Sequence, residues 1–269
     1  MRVQITLNLL KKWEACSSYI ELFEAEFGEQ IVIVDTSSAD DIMHLCSKGF
    51  GAQLSWLYLE TDNNDFQINL SGQDLSHEEL SSIDFEDSIL IETNFEGSNL
   101  VYAYLNGSVS VKANFKLADL TEANLKNGNF TGANFTGATL DYTEFQSAEL
   151  NGACFRSANL FKAVFSRAEL IGVDLTNANL KRAKLVDANL TGANLTGADL
   201  TNADLTNANL TGANLTGADL TNADLTNADL TDVDLTNADL RNAVMLRTTN
   251  LANMILTGAK NLHTVKWEN

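Results

Sequence analysis

The feature that most constrains this chain is a period of five residues. From Leu70 to Leu240 every fifth residue is Leu or Phe, except Ser110, and a small residue precedes most of them by two positions. Five steps along an α-helix rotate a residue by about 500°, so successive leucines would drift around every face. In a β-strand an odd period sends alternate leucines to opposite faces. Neither element can bury this pattern on one side.

A chain that turns a corner every five residues can bury the pattern. Each pentapeptide then forms one side of a coil, with its Leu or Phe towards the axis and Gly, Asn or Asp at the corners, where positive φ is tolerated. Residues 191–210 and 211–230 differ only at Asn209 and Asp229. A 20-residue unit repeated this closely predicts four pentapeptides per coil. Residues 66–245 would then form about nine coils, stacked about 4.8 Å apart.

Written as A-(D/N)-L-x-x, these repeats resemble the pentapeptide repeat family. The resemblance implies an all-β solenoid, a right-handed quadrilateral β-helix, with the central Leu or Phe and the preceding Ala inside and the other three positions outside. The first coils are expected to be irregular, because polar residues take the Ala position at Gln73, Glu78, Ser88 and Thr93. The spacing also shifts by one residue near Met245. It continues one position late at Leu246, Leu251 and Leu256.

The chain contains no proline in 269 residues. Ordinary usage would give about 13. In stacked coils most backbone N–H groups should bond to a neighbouring coil, and proline would remove one donor wherever it stood. The absence of proline therefore favours the same fold.

The two ends of the chain lack the five-residue period. Residues 1–65 are predicted to form a small α/β module, with helices over about 6–26 and 39–48 and a buried strand over 30–34. Residues 246–269 are predicted to complete the last coil and end it, with Val265 and Trp267 as the contact residues. They could cap the solenoid or form the seam of a homodimer, since some members of the family join through this end. Both alternatives, monomer and C-terminal homodimer, remain open.

The sequence lacks the motifs of the common catalytic sites. A glycine-rich phosphate loop, a paired-histidine metal motif, a C-x-x-C pair and G-x-S-x-G are all missing. We therefore expect no enzyme activity, no cofactor and no metal site. Three widely spaced cysteines, Cys16, Cys46 and Cys154, indicate a reducing cytoplasm. The N-terminus lacks the pattern of a secretory signal, and no apolar run approaches the roughly 20 residues of a membrane span, so no membrane partner is expected.

The charge is strongly negative and unevenly distributed. The chain has 17 Lys and Arg against 36 Asp and Glu, a net charge of −19, which argues against direct contact with nucleic acid. Residues 156–184 carry six bases and two acids, whereas residues 185–240 carry nine acids and no base. The 20-residue coil predicts that Asp199, Asp219 and Asp239 align in one column. It also predicts that Asp204 and Asp224 align with Lys184.

The acidic stretch supports two interpretations, a solvated face and a binding surface. As a binding surface, it predicts a non-catalytic scaffold or adaptor whose protein partner has a basic surface. The alternative follows from the resemblance: quinolone-resistance members of the family act as DNA mimics on type II DNA topoisomerases such as gyrase. The basic band at 156–184 and the lack of an inserted loop weaken that alternative. The candidate partner-binding residues are Asp199, Asp204, Asp219, Asp224, Asp229, Asp234 and Asp239.

Overall fold

The computed structural model describes residues 2–5, 32–35, 69–247 and 251–268. Near the N-terminus, β1 (Arg2–Ile5) pairs antiparallel with β2 (Val32–Asp35), with Val3 opposite Val34. The strand predicted over 30–34 is therefore confirmed from residue 32 and extends one residue further. Sequence reasoning missed β1. The helices predicted over 6–26 and 39–48, and the boundary at residue 65, lie outside the described residues.

Residues 69–247 form a four-sided, right-handed β-helix in which each coil contains 20 residues. We number the sides by their first interior residues: side 1 begins at Leu70, side 2 at Leu75, side 3 at Leu80 and side 4 at Phe85. The residue before each interior residue is called the ladder residue. Each ladder residue pairs in parallel with the one 20 positions later, from Asn69 with Ile89 to Asp224 with Val244. The predicted 20-residue unit is confirmed.

Every backbone N–H group of a regular repeat has an acceptor, as residues 200–204 show. Two N–H groups donate to the next coil, one donates to the previous coil, and one closes the turn. The fifth donates to the ladder side chain that precedes the repeat. The bonds are Leu200 to Asp219 O (2.8 Å), Asn202 to Thr221 O (2.9 Å), Asp204 to Ala183 O (3.0 Å), Ala203 to Leu200 O (2.9 Å) and Thr201 to Asp199 Oδ1 (3.1 Å). Proline would therefore remove a used donor at any of the five positions.

The interior contains the predicted Leu, Phe and Ala side chains, which are almost completely buried. Phenylalanines on one side stack directly above one another. On side 2 the ring centroids of Phe115 and Phe135 are 4.8 Å apart and those of Phe135 and Phe155 are 4.7 Å apart. Rings from the opposite sides 2 and 4 meet edge to face, as Phe155 and Phe165 do at 90°. Stacked coils thus place aromatic pairs in both of the arrangements that such rings prefer.

The expected irregularity of the first coils is limited to side chains. Backbone pairing is regular from Asn69 onwards, and Thr93 is fully buried at an Ala position. Its hydroxyl donates to the Leu70 carbonyl at 2.8 Å. Ser110, the exception in the period, lies inside and shares a hydrogen bond of 3.0 Å with Ser108. These buried hydroxyls are tolerated because each has a partner.

The shift in spacing occurs later than the sequence suggested. Met245 is still an interior residue, 1% exposed, because β3 (Val244–Leu246) continues the regular backbone pairing. The Asn227 N–H bonds to Leu246 O, but the Asp232 N–H bonds to Ala252 O, so the extra residue lies between 246 and 252. The later ladder pairs are 21 residues apart. Consequently Leu246 is only half-buried, Leu251 is exposed, and Leu256 packs partly against the core.

The C-terminal segment lies on the last regular coil. A short 3-10 helix (Leu262–Thr264) leads into β4 (Lys266–Glu268), which pairs in parallel with β3. Val265 is 8% exposed and belongs to the interior cluster. Trp267 pairs with Met245 but keeps 44% of its surface exposed. The end of the interior is therefore covered in part by Val265, while the choice between cap and dimer seam stays a prediction.

Gly128 provides a test of how tightly the interior is packed. It occupies a position where most repeats have Ala, and an added Cβ would lie 2.6 Å from Cε2 of Phe130. We expect Gly128→Ala to lower the free energy of unfolding by about 1–3 kcal/mol, since an overpacked core must shift. The measurement is denaturant unfolding followed by circular dichroism.

Phe130→Leu supplies the control for this prediction. If the Phe130 ring causes the cost, Gly128→Ala should be markedly less destabilising in the Phe130→Leu background. The same cost in both backgrounds would show that the ring is not responsible.

Candidate partner-binding surface

The seven candidate aspartates are all ladder residues, but they do not share one surface. The predicted alignments are confirmed: Asp199, Asp219 and Asp239 form one column on side 3, and Asp204 and Asp224 follow Lys184 on side 4. The other two lie elsewhere. Asp229 is on side 1 above Asn209, and Asp234 is on side 2 above Asn214. Five of the seven therefore face outward from two adjacent sides, which one partner could contact together.

The side chain of each of these aspartates accepts a backbone hydrogen bond at a corner of the coil. In all seven, Oδ1 accepts a hydrogen bond of 2.9–3.1 Å from the backbone N–H two residues later. In Asp204 the same oxygen also accepts a bond of 2.6 Å from the Thr206 hydroxyl. This is an Asx turn, in which the side chain takes the place of a backbone acceptor. One carboxylate oxygen is thus committed to the corner of the coil.

Asparagine performs the same task without a charge. In Asn209 and Asn214, Oδ1 accepts the N–H of Thr211 at 3.0 Å and of Thr216 at 2.9 Å. Asn209 and Asp229 are successive ladder residues of the same column, so they occupy equivalent positions. The fold needs the acceptor oxygen at these positions but not the negative charge. The charge of residues 185–240 is therefore separable from their structural role.

Only two of the seven carboxylates form an ion pair with a described residue. Asp199 Oδ2 lies 2.9 Å from Lys181 Nζ, and Asp239 Oδ2 lies 3.3 Å from an Arg241 nitrogen. The remaining five form no ion pair with any of the described residues: Asp204, Asp219, Asp224, Asp229 and Asp234. Asp219 interacts electrostatically with Lys181 and Asp204 follows Lys184 in the ladder, so the least compensated charges are those of Asp224, Asp229 and Asp234.

Local hydrogen bonds keep three of these groups acidic. For Asp199, burial alone would raise the pKa, but hydrogen bonds from Thr201 and Lys181 outweigh it and place the pKa below the usual value. For Asp239, hydrogen bonds from Asn261 and the Arg241 backbone likewise outweigh burial and lower the pKa. The side-chain and backbone donors of Thr236 lower the pKa of Asp234. These carboxylates are charged at neutral pH.

Three further features of the described part of the chain concern other kinds of site: its metal-ligating side chains, its helices and Cys154. Among those residues, His, Cys, Asp and Glu side chains nowhere gather in a group of three that could hold a metal ion. The same residues include no helix with the length and apolar character needed to cross a membrane. Cys154, a ladder residue of side 2, is half-buried, and its Sγ lies 3.3 Å from the Thr136 hydroxyl. Cys16 and Cys46 lie outside the described residues.

Sequence reasoning missed a groove that includes part of the basic band at 156–184. Tyr142, Lys162 and Arg182 stand in one column at the corner between sides 3 and 4, where they line a groove. The signal was present, because the three residues are 20 positions apart in the sequence. A count of bases along the chain does not reveal this column, because the bases of the band lie on several sides of the coil.

A family model for pentapeptide repeats matches the chain in eight copies, over residues 67–156 and 158–245. The chain belongs to the pentapeptide repeat family. This confirms the resemblance found in the sequence, and the chain is thus a repeat scaffold. A comparison with curated protein sequences finds no significant match.

Several solved structures of pentapeptide repeat proteins are similar to this chain. QnrB1, a plasmid-mediated fluoroquinolone resistance protein, matches in a trypsin-treated form with a TM-score of 0.60 and 21% identity, over 76% of this chain and 92% of that one. HetL, which is involved in heterocyst differentiation regulation in the cyanobacterium Nostoc sp. strain PCC 7120, is 30% identical over 76% of this chain and 92% of its own, with a TM-score of 0.49. At 21% identity, the likeness to QnrB1 shows the fold alone.

The separation of charge from fold can be tested on the side 3 column. We expect the triple variant Asp199→Asn, Asp219→Asn, Asp239→Asn to keep its free energy of unfolding within about 0.5 kcal/mol per site, because Asn preserves the Asx acceptor and exposed ion pairs contribute little. Denaturant unfolding measures this.

Alanine at the same three positions is the matched control. It removes the same charges and also the acceptor, so we expect a loss of about 1 kcal/mol per site, the usual net value of such a hydrogen bond. Equal stabilities of the Asn and Ala variants would contradict a structural role for the Asx bond.

Proposed function

We propose that this protein is a non-catalytic, cytoplasmic protein-binding scaffold. Its partner presents a basic surface to sides 3 and 4 of residues 185–240. The observation that carries the proposal is the separability of charge from fold. Asn would satisfy the turn at every ladder position, yet seven of the nine acids in this base-free stretch are ladder aspartates. Structural need does not account for the charge, whereas a partner would.

The arrangement of the five aspartates on sides 3 and 4 supports recognition by complementary charge. Successive ladder residues are about 4.8 Å apart along the axis, so each column offers a regular row of carboxylates. Like charges at this distance repel by only about 1 kcal/mol in water, which the stacked backbone tolerates. Complementary charge across such an interface accelerates association and makes affinity dependent on salt.

The test compares two double variants that remove the same charge from different sides. Asp204→Asn with Asp224→Asn neutralises side 4, and Asp229→Asn with Asp234→Asn neutralises sides 1 and 2; all four form no ion pair with a described residue. Proteins captured by the wild-type chain are identified by mass spectrometry, and one is purified for affinity measurement. We expect the side 4 variant to bind it about tenfold more weakly and the other within about threefold.

Two results of this experiment would contradict the proposal. In the first, both double variants bind with wild-type affinity, and the charge is then only a solvated face. In the second, raising the salt concentration leaves the wild-type affinity unchanged, and the recognition is then not electrostatic.

A second candidate function is that of a DNA mimic on a type II DNA topoisomerase. The specific support is the base-free acidic stretch, which covers roughly 13 Å of the rod, since residues 185–240 form fewer than three coils at about 4.8 Å each. Such a field resembles that of a nucleic-acid duplex. The basic groove next to it breaks the negative field of the rod as a whole, which is why we place this function second.

A supercoiling assay with purified DNA gyrase tests the second function. A mimic is expected to inhibit supercoiling at micromolar concentration, or to protect the enzyme from a fluoroquinolone. The side 4 double variant should lose most of this effect. Supercoiling that is unchanged by the wild-type chain, with and without the drug, excludes the mimic and leaves the scaffold proposal standing.

A further inference from the structure

A groove with an unusual lining lies at the corner between sides 3 and 4. It has a volume of about 490 Å³ and is lined by Tyr142, Glu144, Lys162, Val164, Arg182 and Lys184. Three successive coils contribute two residues each. Tyr142, Lys162 and Arg182 form the column at the corner, and Glu144, Val164 and Lys184 are successive ladder residues of side 4. The groove therefore runs along the axis of the rod over two coil spacings, roughly 10 Å.

The three bases of the groove are not neutralised by the protein around them. Neighbouring bases outside it have carboxylate partners, such as Arg156 with Asp174 and Arg167 with Asp187. In contrast, Lys162, Arg182 and Lys184 form no ion pair with any carboxylate of the described residues, although Asp204 follows Lys184 in the ladder.

The one acid that lines the groove, Glu144, already forms an ion pair. Glu144 Oε2 lies 2.5 Å from Lys126 Nζ, on the coil below. The charge that the groove offers to a ligand is therefore positive. It is concentrated at the end where Arg182 and Lys184 are exposed on the same coil.

Lys162 is held in place by aromatic side chains. Its Nζ lies 4.8 Å from the Tyr142 ring centroid and 5.3 Å from that of Phe161, and it donates a hydrogen bond of 3.3 Å to the Tyr142 hydroxyl. The two rings contact each other edge to face, with centroids 5.7 Å apart. Cation–π contacts of this kind fix a flexible lysine, so less side-chain entropy is lost when an anion binds.

We propose that this groove binds a small organic phosphate with a planar, mainly apolar body. The phosphoryl group contacts Arg182 and Lys184 at one end, with Lys162 beside it. The body packs against the part of the Tyr142 ring that Lys162 leaves open, and against the Val164 side chain. The groove volume is within the range of small-molecule sites, and its length of roughly 10 Å matches one ring joined to one phosphate.

The charge of the whole chain makes such binding easy to recognise. A net charge of −19 repels anions in general, so attraction must come from the local cluster of bases. Saturable binding of an organic phosphate would therefore report the groove and not the surface at large. This inference is independent of the partner-binding proposal, because the two concern different residues of the rod.

Isothermal titration of the full chain with phenyl phosphate, an aromatic monophosphate, tests the proposal, with inorganic phosphate and phenol as the two partial ligands. We expect saturable binding of the monophosphate with one site per chain, and at least about tenfold weaker binding of each partial ligand. Inorganic phosphate binding as tightly as the monophosphate would overturn the role given to Tyr142 and Val164. Undetectable binding of the monophosphate at millimolar concentration would overturn the site.

Two double variants with the same loss of charge locate the site. Arg182→Gln with Lys184→Gln should weaken monophosphate binding at least about tenfold, because each removes a charge-assisted hydrogen bond. Arg156→Gln with Arg167→Gln, outside the groove, should change it less than about threefold. Circular dichroism checks that both variants are folded. An equal loss in both variants would assign the effect to general charge and overturn the proposal.

Tyr142→Ala separates the two ends of the ligand. It should weaken binding of the monophosphate several-fold while changing that of inorganic phosphate much less, since only the former uses the ring. Loss of both by the same factor would contradict the orientation that we propose.

Discussion

The complete use of backbone N–H groups is the constraint on which the rest of this structure depends. In a regular repeat three of the five donors join neighbouring coils, one closes a turn and one bonds to a ladder side chain. The coil can therefore stack without help from its outward side chains. Proline would remove one of the donors that a regular repeat uses, and the interior is built mainly from Leu, Phe and Ala. Apart from the ladder acceptor, the outer positions are free to vary.

That freedom explains how one fold carries two opposite surface charges. The ladder positions need an acceptor oxygen where an Asx turn is made, and Asp and Asn supply it equally well. Between 185 and 240 the choice of Asp builds columns of negative charge, and one or two coils earlier Lys162, Arg182 and Lys184 line a groove with positive charge. Because neither set disturbs the interior, both can be altered by conservative substitution without unfolding the rod.

The sequence predicted what depends on the period and missed what depends on local geometry. The burial of Leu200 and the alignment of Asp199 with Asp219 follow from spacing alone, and both are confirmed. The position of the register shift does not follow from spacing. Met245 is apolar enough to remain inside, and the pairing of β3 with β4 holds it there. The contacts of Lys162 with its two aromatic neighbours depend on side-chain conformations, which no periodicity encodes.

The 20-residue coil also sets the unit by which a chain of this kind can change in length. Removing or duplicating five residues would rotate every later repeat to a different side, so that each column would mix residues from two faces. Removing or duplicating 20 residues leaves all columns in register, as the near-identity of residues 191–210 and 211–230 illustrates. A single duplication event in the gene can thus lengthen the rod by one complete coil and extend every surface on it by about 4.8 Å. A rod that keeps its surface columns intact can therefore change its length only in steps of one complete coil.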